Sequence, residues 1–407
     1  MNCMLAYLDP GSGSALIGTL FAIVGAAAFS LKSLFYRFFL GKKAEKVRPN
    51  EEIAIFSEGK SYWGTFRPIV AELIARGVRF SYYTLDPHDP ALLIDDRLMY
   101  TRLFNKAGWT WTKKFSDIRA KVMLSTTPNI GCEGYPLLRP KCVKTLAHVF
   151  HDPAGVLDHY CKGSLDFYDD VLLVGEGRRE SIQIVEKKRG TKGKRFFVCG
   201  APYLDAYVKR LEDGSLDGVR FEGKCVLVGS SWGEKSLLRV YGCDFVKNLI
   251  DAGYKVIVRP HPHSFDHEPD FIAEVRHKVV SWGAEWDVQP DGMRSMARAA
   301  VLVSDTSGIR LDFAYLFNRP VVSMRVARDA DSLKVYDGEY LDELYIDTVA
   351  EHIGKEIGDS GDVLAAVKAL TACGSFDVRA HRDENCANFG HAASAVVDYL
   401  VREGGVK

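Results

Sequence analysis

The chain has 407 residues, with 53 Lys and Arg against 53 Asp and Glu, and 47% of it is hydrophobic. That length suggests two or three domains and a core large enough to need neither disulfides nor a structural metal. A net charge of zero argues against a dedicated nucleic-acid binder and a charged disordered chain. Nine cysteines with no Cys-x-x-Cys pair fit neither a secreted disulfide framework nor a zinc ribbon, so the thiols read as reduced and cytosolic.

Residues 1–50 read as a membrane anchor with a basic flank. Residues 10–31 carry no charge, and Ala15 to Phe29 is mostly Ala, Leu, Ile, Val and Phe. At about 1.5 Å per residue such a helix spans roughly 33 Å, enough for a bilayer core. Lys32, Arg37, Lys42, Lys43, Lys46 and Arg48 follow, opposed only by Glu45. The positive-inside rule puts this flank, and all that follows it, on the cytoplasmic side of the inner membrane. A cleaved signal would carry its basic residues on the other side. An anchor lying in the interface remains the alternative to a spanning helix, and the aromatic and basic run Leu34 to Phe39 suits anionic head groups.

From Glu51 onward short β-branched runs alternate with helical stretches. The expected strands are Ile53–Phe56, Arg79–Thr84, Lys121–Ser125, Val171–Val174, Phe196–Cys199, Cys225–Val228, Lys255–Val258, Val301–Val303 and Val321–Met324. Between them Phe66, Ile69, Val70, Leu73 and Ile74 form one apolar helix face; Phe313, Ala314 and Leu316 belong to another. The alternation predicts an α/β fold with parallel sheets covered on both faces. Turn residues near 205–223 mark a seam between two Rossmann-like halves, 51–215 and 216–350, with a helical tail at 351–407. Ligands in such sheets bind beyond the carboxyl ends of strands, so the strand-to-helix turns are where chemistry is expected.

Four turns stand out. Gly59-Lys60-Ser61 tempts a P-loop reading, but that motif needs a glycine where Ala54 stands inside a strand, so nucleotide triphosphate hydrolysis is rejected. In the second, an apolar strand runs through His148 into His151-Asp152-Pro153, where a His can act as general base or be structural. The third is Arg259-Pro260-His261-Pro262-His263, whose prolines stiffen a turn carrying Arg and His groups suited to a diphosphate. In the fourth, Ser304-Asp305-Thr306-Ser307-Gly308 leads into a helix. Its free amides and hydroxyls make an anion site, and Asp305, Thr306 or Ser307 equally make an ordinary N-cap. No acidic cluster reads as a metal cage; a water-held Mg²⁺ would leave no sequence mark.

The third and fourth turns together resemble the CDP-glycerol glycerophosphotransferase family of teichoic acid synthesis. That family carries Arg-x-His-Pro, then Ser/Thr-Asp-x-Ser-Ser/Gly-x-x-x-Asp-Phe, matched here by Arg259 to Pro262 and by Ser304 to Phe313. Gly200-Ala201-Pro202-Tyr203-Leu204-Asp205 is similar to its Gly-x-Pro-x-x-Asp junction, and the likeness runs over about 195–325. The resemblance implies a GT-B-like fold, with an N-terminal acceptor domain and a C-terminal nucleotide-donor domain facing a cleft. It implies transfer of glycerol phosphate from a CDP-activated donor to a lipid-linked or polymeric acceptor at a membrane, with no required cofactor. Arg259, His261, His263, Thr306, Ser307 and Gly308 would hold the donor phosphates, and Asp305 and Asp312 would support the loop. The family's amino-terminal catalytic His, in a Trp-His-Gly context, matches His151 in a Phe-His-Asp context, with His148 the reserve. Another GT-B enzyme using a UDP-sugar (a glycosyltransferase or an epimerase) and a non-catalytic binding protein are the alternatives.

Overall fold

The computed structural model describes residues 49–106, 111–153, 157, 160–289, 291–326, 335–342 and 344–406. The expected membrane segment lies outside them. Among the described residues no helix is long and apolar enough to cross a membrane.

Two parallel sheets organise the chain. The first contains β1 (Ile53–Ser57), β2 (Phe80–Thr84), β3 (Met99–Leu103), β4 (Arg119–Ser125), β5 (Cys142–Val149), β6 (Asp170–Leu173) and β7 (Arg195–Val198), in the order β3-β2-β1-β4-β5-β6-β7. The second contains β8 (Cys225–Gly229), β9 (Lys255–Arg259), β10 (Glu285–Trp286), β11 (Val301–Ser304), β12 (Val321–Met324) and β13 (Gly354–Ile357), in the order β10-β9-β8-β11-β12-β13. Each is doubly wound, and the winding reverses between β1 and β4 and between β8 and β11, the places where such sheets open a crevice.

The central strands are apolar because both of their faces are covered. In β1, Ile53 and Ile55 pack with Phe66, Ile69 and Leu73 of the helix Trp63–Ala75, while Ala54 and Phe56 face the opposite layer. In β8, Val226 and Val228 point one way and Leu227 the other, the period-2 alternation of a strand. One apolar cluster takes in Phe56, Leu146 and Leu173 of the first sheet with Leu227, Leu302 and Phe313 of the second half, so the halves share a core.

Each expected strand is present. Three strands have no apolar run to announce them. β3 and β13 are edge strands with polar, partly exposed residues, and β10 has only two residues. β13 also corrects the tail expected from residue 351, which opens with a strand of the second sheet. Gly354 is required there because a Cβ would lie 1.9 Å from the Val321 carbonyl oxygen. The last helix, Ala392–Gly404, returns to the first half and buries Val396, Val397 and Leu400 against Ile53 and Phe66. Asp205 fixes it there by accepting from the amides of Ala392 (3.0 Å) and Ala393 (2.7 Å). The motif Gly200 to Asp205 is thus a structural joint. Gly200, at φ +92°, lies where a Cβ would be 2.1 Å from the Ala387 carbonyl.

Candidate active site

A cleft of about 300 Å³ opens between the halves beyond the ends of β5, β8, β9 and β11. His151 and Asp152 line it from the first half; Tyr203 comes from the joint, and Arg259, His261, Ser307, Gly308 and Asp312 from the second half.

The fourth turn works around Asp305, which is buried at 1% exposure. Its carboxylate accepts from the amides of Ser231 (3.0 Å), Leu237 (2.7 Å) and Ser307 (3.0 Å) and from the Ser231 hydroxyl (2.7 Å). One side chain therefore pins the loop after β8 to the turn after β11. The Ser307 amide is spent on this bond, whereas those of Gly308 and Ile309 make no hydrogen bond within the described residues. Both residues line the cleft at the start of the helix Ile309–Phe317, where exposed amides and the helix dipole favour an anion. Gly308 has helical angles and nothing within 4 Å of its would-be Cβ, so the space beside the turn is open.

Arg259 and His261 line the same cleft. The Arg259 Nη1 donates to Asp287 (2.9 Å) and to the Gln289 carbonyl (3.0 Å), which fixes the guanidinium, and Nη2 makes no hydrogen bond within the described residues. His261 Nδ1 accepts from the His263 amide at 3.1 Å, so Nε2 carries the hydrogen. Burial, helped by His263, pushes its pKa down to about 4. His261 is therefore a neutral hydrogen-bond donor, so Arg259 alone brings positive charge from this turn.

Not every expected residue reaches the cleft. His263 is exposed and serves through its main-chain N–H; Thr306 is half-buried beside the turn, and neither lines the cleft. His148 is a core residue, 0% exposed, with Nε2 3.2 Å from the Tyr160 hydroxyl and its pKa pushed down to about 3 by burial. It cannot meet an acceptor and is corrected as the reserve base. His151 does line the cleft. Its ring lies edge-on to Tyr62 at 5.3 Å and stacks on Tyr160 at 6.4 Å, with Nε2 3.7 Å from Asp152 Oδ2. Asp312, expected behind the loop, is instead part of the cleft wall. Its carboxyl accepts from the Tyr203 hydroxyl, and burial, with Asp152 nearby, raises its pKa to about 7.

Tyr203, Asp152, Asp291 and Met296 are cleft residues that sequence reasoning did not assign. Tyr203 lies in the Gly200 to Asp205 motif, and Asp152 follows His151. Asp291, bound to Arg210 at 2.8 Å, carried no signal. Among the described residues no group of three or more His, Cys, Asp or Glu is placed to hold a metal ion.

No protein-family profile and no curated protein matches the chain. Solved structures do resemble it. A variant of the wall teichoic acid polymerase TagF, soaked with CDPG, superposes with a TM-score of 0.54 at 14% identity, covering 98% of this chain and 99% of that one. The UDP-GlcNAc 2-epimerase of Neisseria meningitidis, bound to UDP-GlcNAc, gives 0.57 at 11% identity over 86% and 99%. A glycosyltransferase of Rickettsia africae gives 0.51 at 9% identity over 88% and 100%. At these identities the likeness is one of fold: a GT-B arrangement of two parallel-sheet halves.

Proposed function

We propose that the chain is a membrane-associated transferase. It moves a polyol phosphate, glycerol phosphate foremost, from a CDP-activated donor to a hydroxyl of a lipid-linked saccharide or cell-envelope polymer. The observation that carries this reading is the set of donors lining one cleft: the Gly308 and Ile309 amides, the Arg259 guanidinium and the neutral His261 imidazole. Charge accumulates on phosphate oxygens during phosphoryl transfer, and pre-aimed donors stabilise it without reorganisation. The acceptor oxygen forms a bond to the distal phosphorus, the bond to the bridging oxygen breaks, and CMP leaves. His151, on the opposite wall, takes the acceptor proton. The TagF likeness and the motifs Arg259 to Pro262 and Ser304 to Phe313 support a CDP-linked donor. The uncharged run at residues 10–31 supports anchoring at the inner membrane with the cleft on the cytoplasmic side. No metal is required by this scheme, and Mg²⁺ held by the donor and water is compatible with it.

A second reading, a nucleotide-sugar enzyme, draws on the epimerase and glycosyltransferase likenesses. The test is turnover of CDP-glycerol, CDP-ribitol and UDP-sugars by the full chain in detergent, with a lipid-linked saccharide as acceptor. CMP release from a CDP-polyol that falls about 10²–10³-fold in His261→Ala or His151→Ala supports the transferase. UDP release alone supports the second reading.

A further inference from the structure

The Gly59-Lys60-Ser61 turn, left without a role once the P-loop reading is rejected, lines a second cavity of about 260 Å³. The cavity lies beyond the ends of β1 and β2, walled by Glu58, Gly59, Lys60, Tyr62, Asp86 and Lys106. The turn is built tightly against its neighbour. Gly59 has φ +143°, a Cβ there would lie 2.3 Å from the Asp86 Cβ, and the Lys60 amide donates to Asp86 Oδ2 at 3.0 Å.

Two carboxylates and two ammonium groups line the cavity, and what separates them is how they are held. Both carboxylates are fixed against the wall by hydrogen bonds. Asp86 accepts from the amides of Lys60 and His88 (2.8 Å), and Glu58 accepts from the Tyr135 hydroxyl (2.8 Å). The ammonium groups of Lys60 and Lys106 make no ion pair or hydrogen bond within the described residues. They come from two separate loops, after β1 and after β3, and meet at one cavity. A lysine is a compact point charge suited to phosphate. Tyr62 connects this cavity to a residue of the main cleft: it walls the cavity, and its ring lies edge-on to that of His151 at 5.3 Å. A group held by the two lysines therefore lies one tyrosine ring away from the proposed base.

We infer that this cavity binds a phosphate ester of the acceptor substrate and so presents the neighbouring hydroxyl to His151. The assignment to an acceptor rests on the transferase reading above; the binding of phosphate does not. A polymer terminus and a lipid-linked phosphate offer the same chemistry, so two probes separate them. These are sn-glycerol 3-phosphate in solution and phosphatidic acid in phosphatidylcholine vesicles, each titrated onto the full chain.

Binding is measured in a His261→Ala background, which weakens the donor cleft, with and without Lys60→Met/Lys106→Met. Both lysines are surface groups, and a thermal melt confirms that the double variant folds. The expected result is a loss of at least tenfold in affinity for one probe on removing the lysines, with CDP-glycerol affinity unchanged when they are removed from the wild-type chain. The probe that responds identifies the source. Equal binding with and without the lysines, or no binding of either probe, overturns the inference. Lysine-dependent binding of a probe alongside no binding of any CDP-polyol keeps this site and removes the transferase reading.

Discussion

Replacing Asp305 by Ala is the sharpest structural perturbation of the proposed donor site. Its carboxylate is the acceptor for three backbone amides, those of Ser231, Leu237 and Ser307, at 2.7–3.0 Å, and it is 1% exposed. Each buried amide left without a partner costs about 1–3 kcal/mol. Water entering the space vacated by the carboxylate recovers part of this, which gives a loss of about 3–5 kcal/mol. A domain's whole stability is typically about 5–15 kcal/mol, so the variant should be measurably weakened yet largely folded at low temperature. Asp305→Asn keeps one acceptor oxygen but turns an NH₂ toward amides, and should lose about 2–4 kcal/mol. Urea unfolding of the full chain, followed by fluorescence, reads both values. Because Asp305 ties the loop after β8 to the Ser307 turn, donor affinity should also fall at least tenfold in the folded variant. A stability loss below about 1 kcal/mol for the Ala variant would refute the view that this carboxylate holds the site together.

Gly308→Pro separates folding from binding. The residue has φ −59°, which proline adopts, and its N–H makes no hydrogen bond within the described residues, so stability should stay within about 1–2 kcal/mol of wild type, while calorimetry should show at least a tenfold loss of donor affinity. Asp312 ionises around pH 7, adding a negative charge to the wall of the proposed donor cleft. Donor affinity should therefore decline as pH rises from 6 to 8, and Asp312→Asn should abolish that decline. His148 stays neutral in the fold down to about pH 3, whereas the unfolded chain takes up its proton below about 6.5. It therefore costs no stability above pH 7 and about 2 kcal/mol at pH 5, and His148→Gln should flatten the acid limb of the stability profile by that amount. Leu400→Ala, at 0% exposure in the returning helix, should cost about 2–5 kcal/mol in urea unfolding and leave donor affinity unchanged once folded.

The central strands were legible because parallel strands buried on both faces read as unbroken apolar runs, as Cys225 to Val228 and Val301 to Val303 do. β3, β10 and β13 were not, since an edge strand is covered on fewer sides and its residues need not be apolar. The site was legible where backbone geometry is written in the letters. A strand that breaks into Ser-Asp-Thr-Ser-Gly ahead of an apolar helix marks open amides, and Arg-Pro-His-Pro fixes where two side chains point. The division of labour within those turns depends on contacts distant in sequence. Asp305 meets a loop about seventy positions earlier, and Asp312 meets Tyr203, 109 positions away. His148 and His151 are three residues apart in a similar context. The first lies in the end of β5 that is buried on both faces, and the loop after it carries the second into the cleft.

Equilibrium binding of CDP-glycerol and of UDP-GlcNAc to the full chain, with and without His261→Ala, tests the central claim most directly. The account predicts that CDP-glycerol binds and that the substitution weakens it at least tenfold, with UDP-GlcNAc far weaker. Binding of UDP-GlcNAc in preference to CDP-glycerol, or CDP-glycerol affinity indifferent to His261, would contradict it.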